Sequence, residues 1–408
     1  MSKVSVCFTN FGPYHLARLS ALADLLHESG DRLIAYEIAG REQRYPWTRE
    51  SGGKSFEWIT LFPGRDLEEI SSLECSREMK RALDRDRPDF VGIVGYSRTE
   101  SMAALNWARR IGRPTILLSE SQEIDHPRTW WKEAIKRRRV SCFSAGLVGG
   151  PRHRDYLVSL GLPESRIAMG YNAVDNLAFA KRAEAARQDP ESRRGLPASP
   201  YFLAVNRFVA EKNLVRLVRA FARYRAGVSP EGAWDLVLCG AGPAESEVDE
   251  AIQSSGFANS IHRPGFLQVE EQAPWLAHAS AFVHPSFMEP WGLVVNEAAA
   301  CGLPLLVSNR AGCVETLVPS PEGITGRRFD PFDEEEIGAS LGWMAKLPER
   351  KRAEMGRRSS KVVREWGPER FASGMAEAIE KANHPMGSVN DRLNRRPKIL
   401  TGTGGVRA

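Results

Sequence analysis

The sequence predicts an α/β protein of two doubly wound domains that face a central cleft. Three observations predict it. The chain has 408 residues, too many for one ordinary core and enough for two domains of about 150–200 residues. Short apolar runs alternate with amphipathic segments in both halves, and near-continuous apolar strands between helices indicate parallel sheets covered on both faces. Between the halves lies AKRAEAARQDPESRRGLPASP, polar, charged and proline-bearing. It reads as a linker region, part of it helical.

Taken in order, the strands of the first half are Val4–Phe8, Leu33–Ile38, Phe56–Leu61, Val91–Val94, Thr115–Leu118 and Gly146–Val148. After Pro13, the residues Leu16, Leu19, Ala23 and Leu26 recur at helical spacing, and Gly30 supplies the stop. The second half repeats the pattern with strands Phe202–Val205, Leu236–Cys239, Ala281–Val283 and Leu305–Val307. A helix over Asn213–Arg223 places Leu214, Leu217, Val218 and Phe221 on one face. Asp333 followed by Glu336 predicts a capping box for another. From His384 onward the chain loses periodicity and reads as a loose tail.

Composition excludes several classes. With 42% hydrophobic and 26% charged residues the chain is of globular type. No apolar run reaches the roughly 18 residues of a membrane span, and the sequence enters the strand VSVCF at once, so no leader peptide is expected. Six scattered cysteines without a CxxC pair predict reduced, cytosolic thiols. Net charge is 56 − 51 = +5, short of a nucleic-acid footprint.

In such sheets ligands sit at the carboxyl ends of strands, against helix N-termini, so residues just after strands carry the information. Residues 286–304, SFMEPWGLVVNEAAACGLP, follow the strand AFVH. Pro290 and Gly292 shape a tight strand-to-helix turn. Glu289 sits in that turn, and Glu297 lies about one and a half turns into the helix. Spacing alone leaves two readings open. The acids hold two points of one elongated ligand, or Glu289 merely complements the helix dipole and Glu297 is solvated.

The pattern E-x7-E here closely resembles the signature of retaining glycosyltransferases of family 4, also called group 1, whose fold is GT-B: two Rossmann-like domains about a cleft. Neighbouring segments agree in order and spacing: VNRFVAEKNL with Arg207 and Lys212, LVLCGAGP with Gly240 and Gly242, HRPGFLQVEE with Phe266, then AGCVETLV and GITGRRFDPFD. The resemblance covers residues 200–345 and is weaker before them. It implies an N-terminal acceptor-binding domain over 1–175, a linker over 176–200 and a nucleotide-sugar domain over 201–365. A helix over 366–383 would cross back to the first domain, ahead of the tail 384–408.

The resemblance further implies a hexosyltransferase-type enzyme that uses a UDP- or GDP-type sugar as co-substrate. It would act without a metal or other cofactor, in surface polysaccharide or glycoconjugate synthesis. Arg207 and Lys212 would clamp the departing diphosphate, the first as a planar fork and the second as a point charge. Glu297 would accept from the ribose hydroxyls. Glu289 would hold a donor-sugar hydroxyl, joined by Pro290, Trp291, Gly292 and Leu293 and the backbone amides there. The Asp84-Arg85-Asp86 string reads as a solvated face rather than a metal site.

On the acceptor side, TNFGPYHLARL offers Gly12 for close backbone approach, with Tyr14 and His15 at a helix start. His15 is either a hydrogen-bonding group for the acceptor or a structural residue. Family members often carry a His near the end of the strand Thr115–Leu118; this chain has Ser119, Glu120 and Ser121, with His126 further on. Glu120 is the candidate catalytic group there, one that a dry cleft would perturb. RTWWKEAIKRRR combines Trp130 and Trp131 with a basic run. It is either a surface helix with the Trp pair in the core or a segment lying on a membrane. The partners expected are therefore a nucleotide sugar, a glycan or lipid-linked acceptor and a peripheral membrane contact at the inner face, with no nucleic acid.

Two other classes were weighed. A nucleotide-dependent oxidoreductase would need the third glycine of G-x-G-x-x-G, which GAGPAE lacks. A non-catalytic sugar-nucleotide-binding module would have less need of Arg207 and Lys212 beside both acids.

Overall fold

The computed structural model describes residues 1–42 and 55–383. The expected tail over 384–408 lies outside the described residues. The first sheet contains β1 (Lys3–Phe8), β2 (Arg32–Arg41), β3 (Glu57–Asp66), β4 (Phe90–Val94), β5 (Thr115–Ser119), β6 (Ala145–Val148) and β7 (Ile167–Met169). Its order is β3-β2-β1-β4-β5-β6-β7. The second holds β8 (Tyr201–Val205), β9 (Asp235–Cys239), β10 (Ile261–Gly265), β11 (Ala281–His284), β12 (Leu305–Ser308) and β13 (Gly326–Phe329), in the order β10-β9-β8-β11-β12-β13. Every pairing described is parallel, as in Val4 opposite Leu33 and Phe90.

Each sheet is buried on both faces. One face of the first carries Val4, Val6 and Leu118; the other carries Ile34, Val91 and Leu117. The second sheet divides likewise, with Leu203 and Val307 on one side and Phe202, Leu236 and Leu306 on the other. Burying such side chains contributes about 1.5–3 kcal/mol each, which is why both halves read as apolar runs.

β7, β10 and β13 were not expected from the sequence, and each is an edge strand. Edge strands are short and need less apolar character. β7 has three residues, and β10 contains Pro264 and a register shift, which an edge tolerates. The helix Glu334–Lys346 is capped by the Asp333 carboxylate, which accepts from the Glu335 and Glu336 N–H groups. The Asp333 N–H donates to Asp330 O instead of to Glu336, so the expected reciprocal box gives way to a simple cap. Ser71 and Glu74 form a complete box at Ser72–Asp86.

Residues 176–188 form a packed helix, Asn176–Gln188. Its Phe179, Ala183 and Ala186 join the core around Leu276 and Trp291 in the second half. The helix Pro368–Asn383 runs the other way, burying Phe371, Met375 and Ala378 with Leu16 and Leu19 of the first half. The chain thus passes between the halves twice, and the passages touch: the Asn176 side-chain amide donates to Val363 O at 2.7 Å.

The strand order reverses beside β1 in the first sheet and beside β8 in the second. Ligands in doubly wound folds bind outside the carboxyl ends at such switch points. The loops after β1, β8 and β11 are therefore where a site belongs.

Candidate active site

The loop after β8 is shaped by two unusual backbones. Gly240, after β9, has φ +134°, and a Cβ there would meet Asn206 O at 1.8 Å, so the β8 and β9 loops pack backbone against backbone. Asn213 has φ +61°, a left-handed conformation uncommon outside glycine. Its amide donates to Pro285 O at 3.0 Å and Pro331 O at 2.7 Å. That grip turns the chain between the 3-10 turn Ala210–Lys212 and the helix Leu214–Ala226. It also ties the cation-bearing loop to the segment after β11, as does the Phe287 N–H donating to Glu211 O at 3.0 Å. Arg207 and Lys212, both half-buried, stand on this loop.

Lys212 forms an ion pair with Glu289 Oε2, and His284 Nε2 lies 2.8 Å from the same oxygen. Burial alone would push the Glu289 carboxyl up, but the Lys212 ammonium and the His284 hydrogen bond hold it down to about 2. Glu289 is thus an ionised carboxylate, 8% exposed. Burial lowers the His284 pKa. The neutral ring donates from Nε2, leaving a buried Nδ1 with no partner within the described residues. The Asn206 amide and Ser286 Oγ are likewise buried and unpartnered at these strand ends. Buried polar atoms normally have partners, so these groups hold unused hydrogen-bonding capacity at the switch point.

Gly292, at φ +102°, is the N-cap of the helix Leu293–Ala300 and offers no side-chain cap. Its first backbone N–H groups thus have no capping side chain. Trp291 is 1% exposed, lies against His153 and Trp366, and donates from Nε1 to Asn296 Oδ1 at 2.9 Å. Its ring is core, which leaves the donor-side role expected of this stretch to the backbone: an indole filling the space beneath the turn packs better than one facing water. Pro290 and Leu293 are half-buried beside it, and Phe266 is exposed after β10.

Glu297 is 2% exposed, which excludes the solvated reading. Burial raises its pKa to about 7, a rise that the Tyr14 hydroxyl moderates. Tyr14 comes from the other half of the molecule and donates to Glu297 Oε1 at 2.5 Å.

Further contacts cross the cleft close by. The Gln122 amide donates to Glu289 O at 2.8 Å and Arg310 O at 3.1 Å. His153 Nε2 lies 2.6 Å from Pro290 O. His153 Nδ1 accepts from Gly150 N–H, so the neutral ring donates from Nε2. The Glu289–Pro290 carbonyls are therefore capped by side chains of the first half. Arg310 reaches across in return, donating to Ile124 O at 2.5 Å.

His15 is structural. Its Nδ1 accepts from Gly12 N–H at 3.2 Å at the start of Pro13–Glu28, its ring lies on Phe8, and burial holds its pKa well below the usual value. Gly-Pro-Tyr-His and Gly-Pro-Arg-His start two helices of this half in the same way. Gly12 has φ −83°, open to any residue. Ser119 is buried, with Oγ accepting from Ser121 N–H at 3.4 Å. Glu120 is exposed at the end of β5 and accepts from the Asn172 amide at 2.8 Å. The dry surroundings expected for it are absent.

The Asp84-Arg85-Asp86 string is not the solvated face expected of it. Asp84 accepts from Trp107 Nε1 at 2.7 Å, and Asp86 from Tyr36 and Arg85. Trp130 and Trp131 are 84% and 49% exposed on the helix Trp130–Val140, so the reading that placed them in the core is overturned. Lys136 and Arg128 hold this helix through Glu133 and Tyr156. Among the described residues no helix is long and apolar enough to cross a membrane.

Sequence reasoning did not single out His284, Gln122, Asn206 or His153. His284 carried a signal, a histidine closing a parallel strand directly before the E-x7-E turn; the Gly-Pro-x-His repeat was the signal for His153.

Comparison with known proteins agrees with this geometry. Residues 188–362 match the family model of glycosyl transferases group 1. The D-inositol 3-phosphate glycosyltransferase of Paenarthrobacter aurescens is 28% identical over 391 residues, 89% of this chain and 91% of that protein. The alpha-maltose-1-phosphate synthase of Mycolicibacterium smegmatis is 30% identical over 272 residues, 62% of this chain and 65% of its own. Two solved structures share the fold: sucrose-phosphate synthase from Thermosynechococcus elongatus (TM-score 0.69, 16% identity, 93% of this chain and 99% of that one) and Anabaena HepE in complex with UDP (TM-score 0.69, 14% identity, 93% and 100%). Residues 188–362 thus match the glycosyl transferases group 1, and the two parallel sheets share the fold of the solved GT-B structures.

Proposed function

We propose that the chain is a retaining transferase of family 4 that moves a hexosyl group from a UDP- or GDP-type sugar to a glycan or lipid-linked acceptor, without a metal. The observation that carries this reading is the convergence at one switch point of an ionised Glu289 pinned by Lys212 and His284, a buried Glu297 and unpartnered polar atoms.

Glu289 keeps Oε1 for a donor-sugar hydroxyl, since Lys212 and His284 both bond its Oε2. Glu297 receives the ribose diol. Arg207 and Lys212 meet the diphosphate, whose negative charge grows as the glycosidic bond breaks, and the first amides of Leu293–Ala300 assist. The diphosphate leaves from the face on which the acceptor hydroxyl attacks and takes its proton, so no carboxylate nucleophile is required. The Glu289 carboxylate is held through Oε2 by Lys212 and His284, which fits holding a hydroxyl better than attack. Glu120, Ser121 and Tyr14 stand on the acceptor side of the cleft.

The exposed Trp130, Trp131 and Ile135 beside Lys132, Arg137 and Arg138 support a peripheral contact with an anionic membrane at its cytoplasmic face. The reading is tested by incubating the chain with a panel of UDP- and GDP-sugars and candidate acceptors in EDTA. Mass spectrometry should find a glycosylated product. Absence of transfer from every donor, or transfer only on adding a divalent cation, refutes it.

A further inference from the structure

Phe332 lies 53% exposed on the turn after β13. A single exposed aromatic is ordinary on a protein surface; the surroundings of this one are not. Its N–H donates to Asp330 Oδ1 at 2.9 Å, and the carbonyl of Pro331 accepts from the Asn213 amide at 2.7 Å. The Phe287 ring, two residues before Glu289, stacks on it at 5.7 Å. Two guanidiniums also lie over the ring, Arg310 at 5.5 Å and Arg216 at 5.7 Å from its centroid. Both are held by neutral oxygens. Arg310 donates from Nε to Phe287 O at 2.7 Å and from Nη2 to Ile124 O at 2.5 Å, and Arg216 donates from Nη1 to Asn213 Oδ1 at 2.7 Å. The ion pairs of the helix Leu214–Ala226 with Glu334 fall on Arg219 and Arg223; Arg216 and Arg310 enter none among the described residues. Asp330 and Asp333 flank the ring in sequence, but their carboxylates accept from the backbone N–H groups of Phe332, Glu335 and Glu336.

The patch combines an exposed apolar ring with two fixed cations that no carboxylate neutralises. Nη1 of Arg310 and Nε and Nη2 of Arg216 make no bond among the described residues. A guanidinium presents a planar fork that matches carboxylate and phosphate oxygens, and a side chain already immobilised loses little freedom on binding. The ring beside them suits the apolar C–H side of a sugar. The patch also borders the donor turn, since the Gln122 amide bonds both Arg310 O and Glu289 O. We propose that Phe332, Arg216 and Arg310 form a subsite for an acidic sugar residue of the acceptor. The anion, a carboxylate or a phosphate ester, lies on the two guanidiniums, and the sugar ring lies against Phe332. This rests on the reading of the chain as a transferase and adds a class of acceptor to it, an anionic glycan. The residue bound here holds the glycan at the rim while another of its residues receives the hexosyl group.

Calorimetric titration of the full chain at low salt tests the subsite. The probes are a galacturonate tetramer and its methyl ester, and a phosphorylated maltotetraose and plain maltotetraose; UDP and GDP are titrated in parallel. An acidic oligosaccharide should bind about tenfold or more tightly than its neutral counterpart, the value of a hydrogen bond to a charged group. The two acidic probes show which anion is taken. Phe332→Ser and Arg216→Gln should each weaken that binding about tenfold, and Phe332→Ser should leave the affinity for UDP or GDP as it is in the native protein. Equal affinity for the acidic and neutral probes, or binding of neither acidic probe, overturns the subsite. Acidic binding that survives both substitutions also overturns it, because the anion then lies elsewhere, as on the basic helix Trp130–Val140. So does polyglutamate binding that equals the sugar's and is lost in the same variants, which would make the patch a surface for acidic peptides. A chain that takes the acidic oligosaccharide but neither UDP nor GDP loses the transferase reading and the acceptor role with it. Failure of the oligosaccharide alone leaves that reading intact.

Discussion

Glu297→Gln should make the protein more stable at alkaline pH while impairing its donor site. The carboxyl is moved from the ordinary 4.5 to about 7 by burial, against the Tyr14 hydrogen bond. Each tenfold change in an ionisation constant is about 1.4 kcal/mol, so the displacement amounts to about 3 kcal/mol. The sign follows from proton counting. Below pH 4.5 the carboxyl is neutral in both folded and unfolded chains and contributes no pH dependence. Between pH 4.5 and 7 the folded form keeps the proton that the unfolded form has lost, so stability falls as pH rises. Above pH 7 both are ionised and the folded protein bears the whole penalty. Glutamine has the same shape, still accepts from Tyr14, and never ionises. The variant should therefore exceed the native protein by up to about 3 kcal/mol at pH 8 and match it near pH 4.5. Relaxation and water penetration around a buried charge set that figure as a ceiling. At roughly 2–4 °C per kcal/mol for a domain of 150–250 residues, thermal denaturation at pH 8 should show a rise of several degrees. No rise at pH 8, or an equal rise at pH 4.5 and 8, refutes the reasoning. Proteins commonly hold such strain at functional sites.

Other outcomes follow from the same geometry. Glu297→Ala should weaken UDP or GDP binding in EDTA by about 1–3 kcal/mol, the value of charged hydrogen bonds, as read by calorimetry. Lys212→Ala and Arg207→Ala should each lower kcat about a hundredfold or more, by analogy with losing a preorganised oxyanion donor; a raised KM at normal kcat would mean that the cations only hold the donor. Trp291→Ala should destabilise by about 3–5 kcal/mol as measured by denaturant unfolding, since the ring is buried against His153 and Trp366. Proton NMR of the product from an α-linked donor should show an α linkage; a β linkage would overturn retention. Co-sedimentation with anionic liposomes at low salt should be lost on replacing Trp130 and Trp131 by Ser, and native protein left in the supernatant would refute the membrane contact.

Most strand positions were legible because parallel strands buried on both faces leave continuous apolar runs, as in Phe202–Val205 and Leu305–Val307. Three of the four edge strands were not, because nothing forces an edge such as β10, with its Pro264, to be apolar. The E-x7-E turn was legible as a motif, yet spacing could not say that Glu297 is buried rather than solvated; the apolar sequence around it, LVVNEAAA, held that information. Trp291 and Trp130 show the limit from the other side. A tryptophan beside a motif is core, and one for which core and surface were both open is exposed, because burial of an aromatic depends on what the other elements bring to it.

What no reading of local pattern could supply is the set of bonds across the cleft. Tyr14 and Glu297 are 283 positions apart, and Gln122 and Glu289 are 167 apart. Each partner is unremarkable in its own segment: a tyrosine in a first helical turn, a glutamine after a strand. Their meaning comes from two switch points facing each other, a consequence of the two strand orders and the double crossing of the chain at Asn176 and Val363. The same argument explains why the acceptor side was the harder half to read. Lys212, His284 and Glu289 come from the ends of β8 and β11, neighbours in one sheet, so the strand order of a single half brings them together although Lys212 and Glu289 are 77 positions apart. Residues that bridge the halves answer to the packing of one half against the other alone, and no spacing within either half announces them.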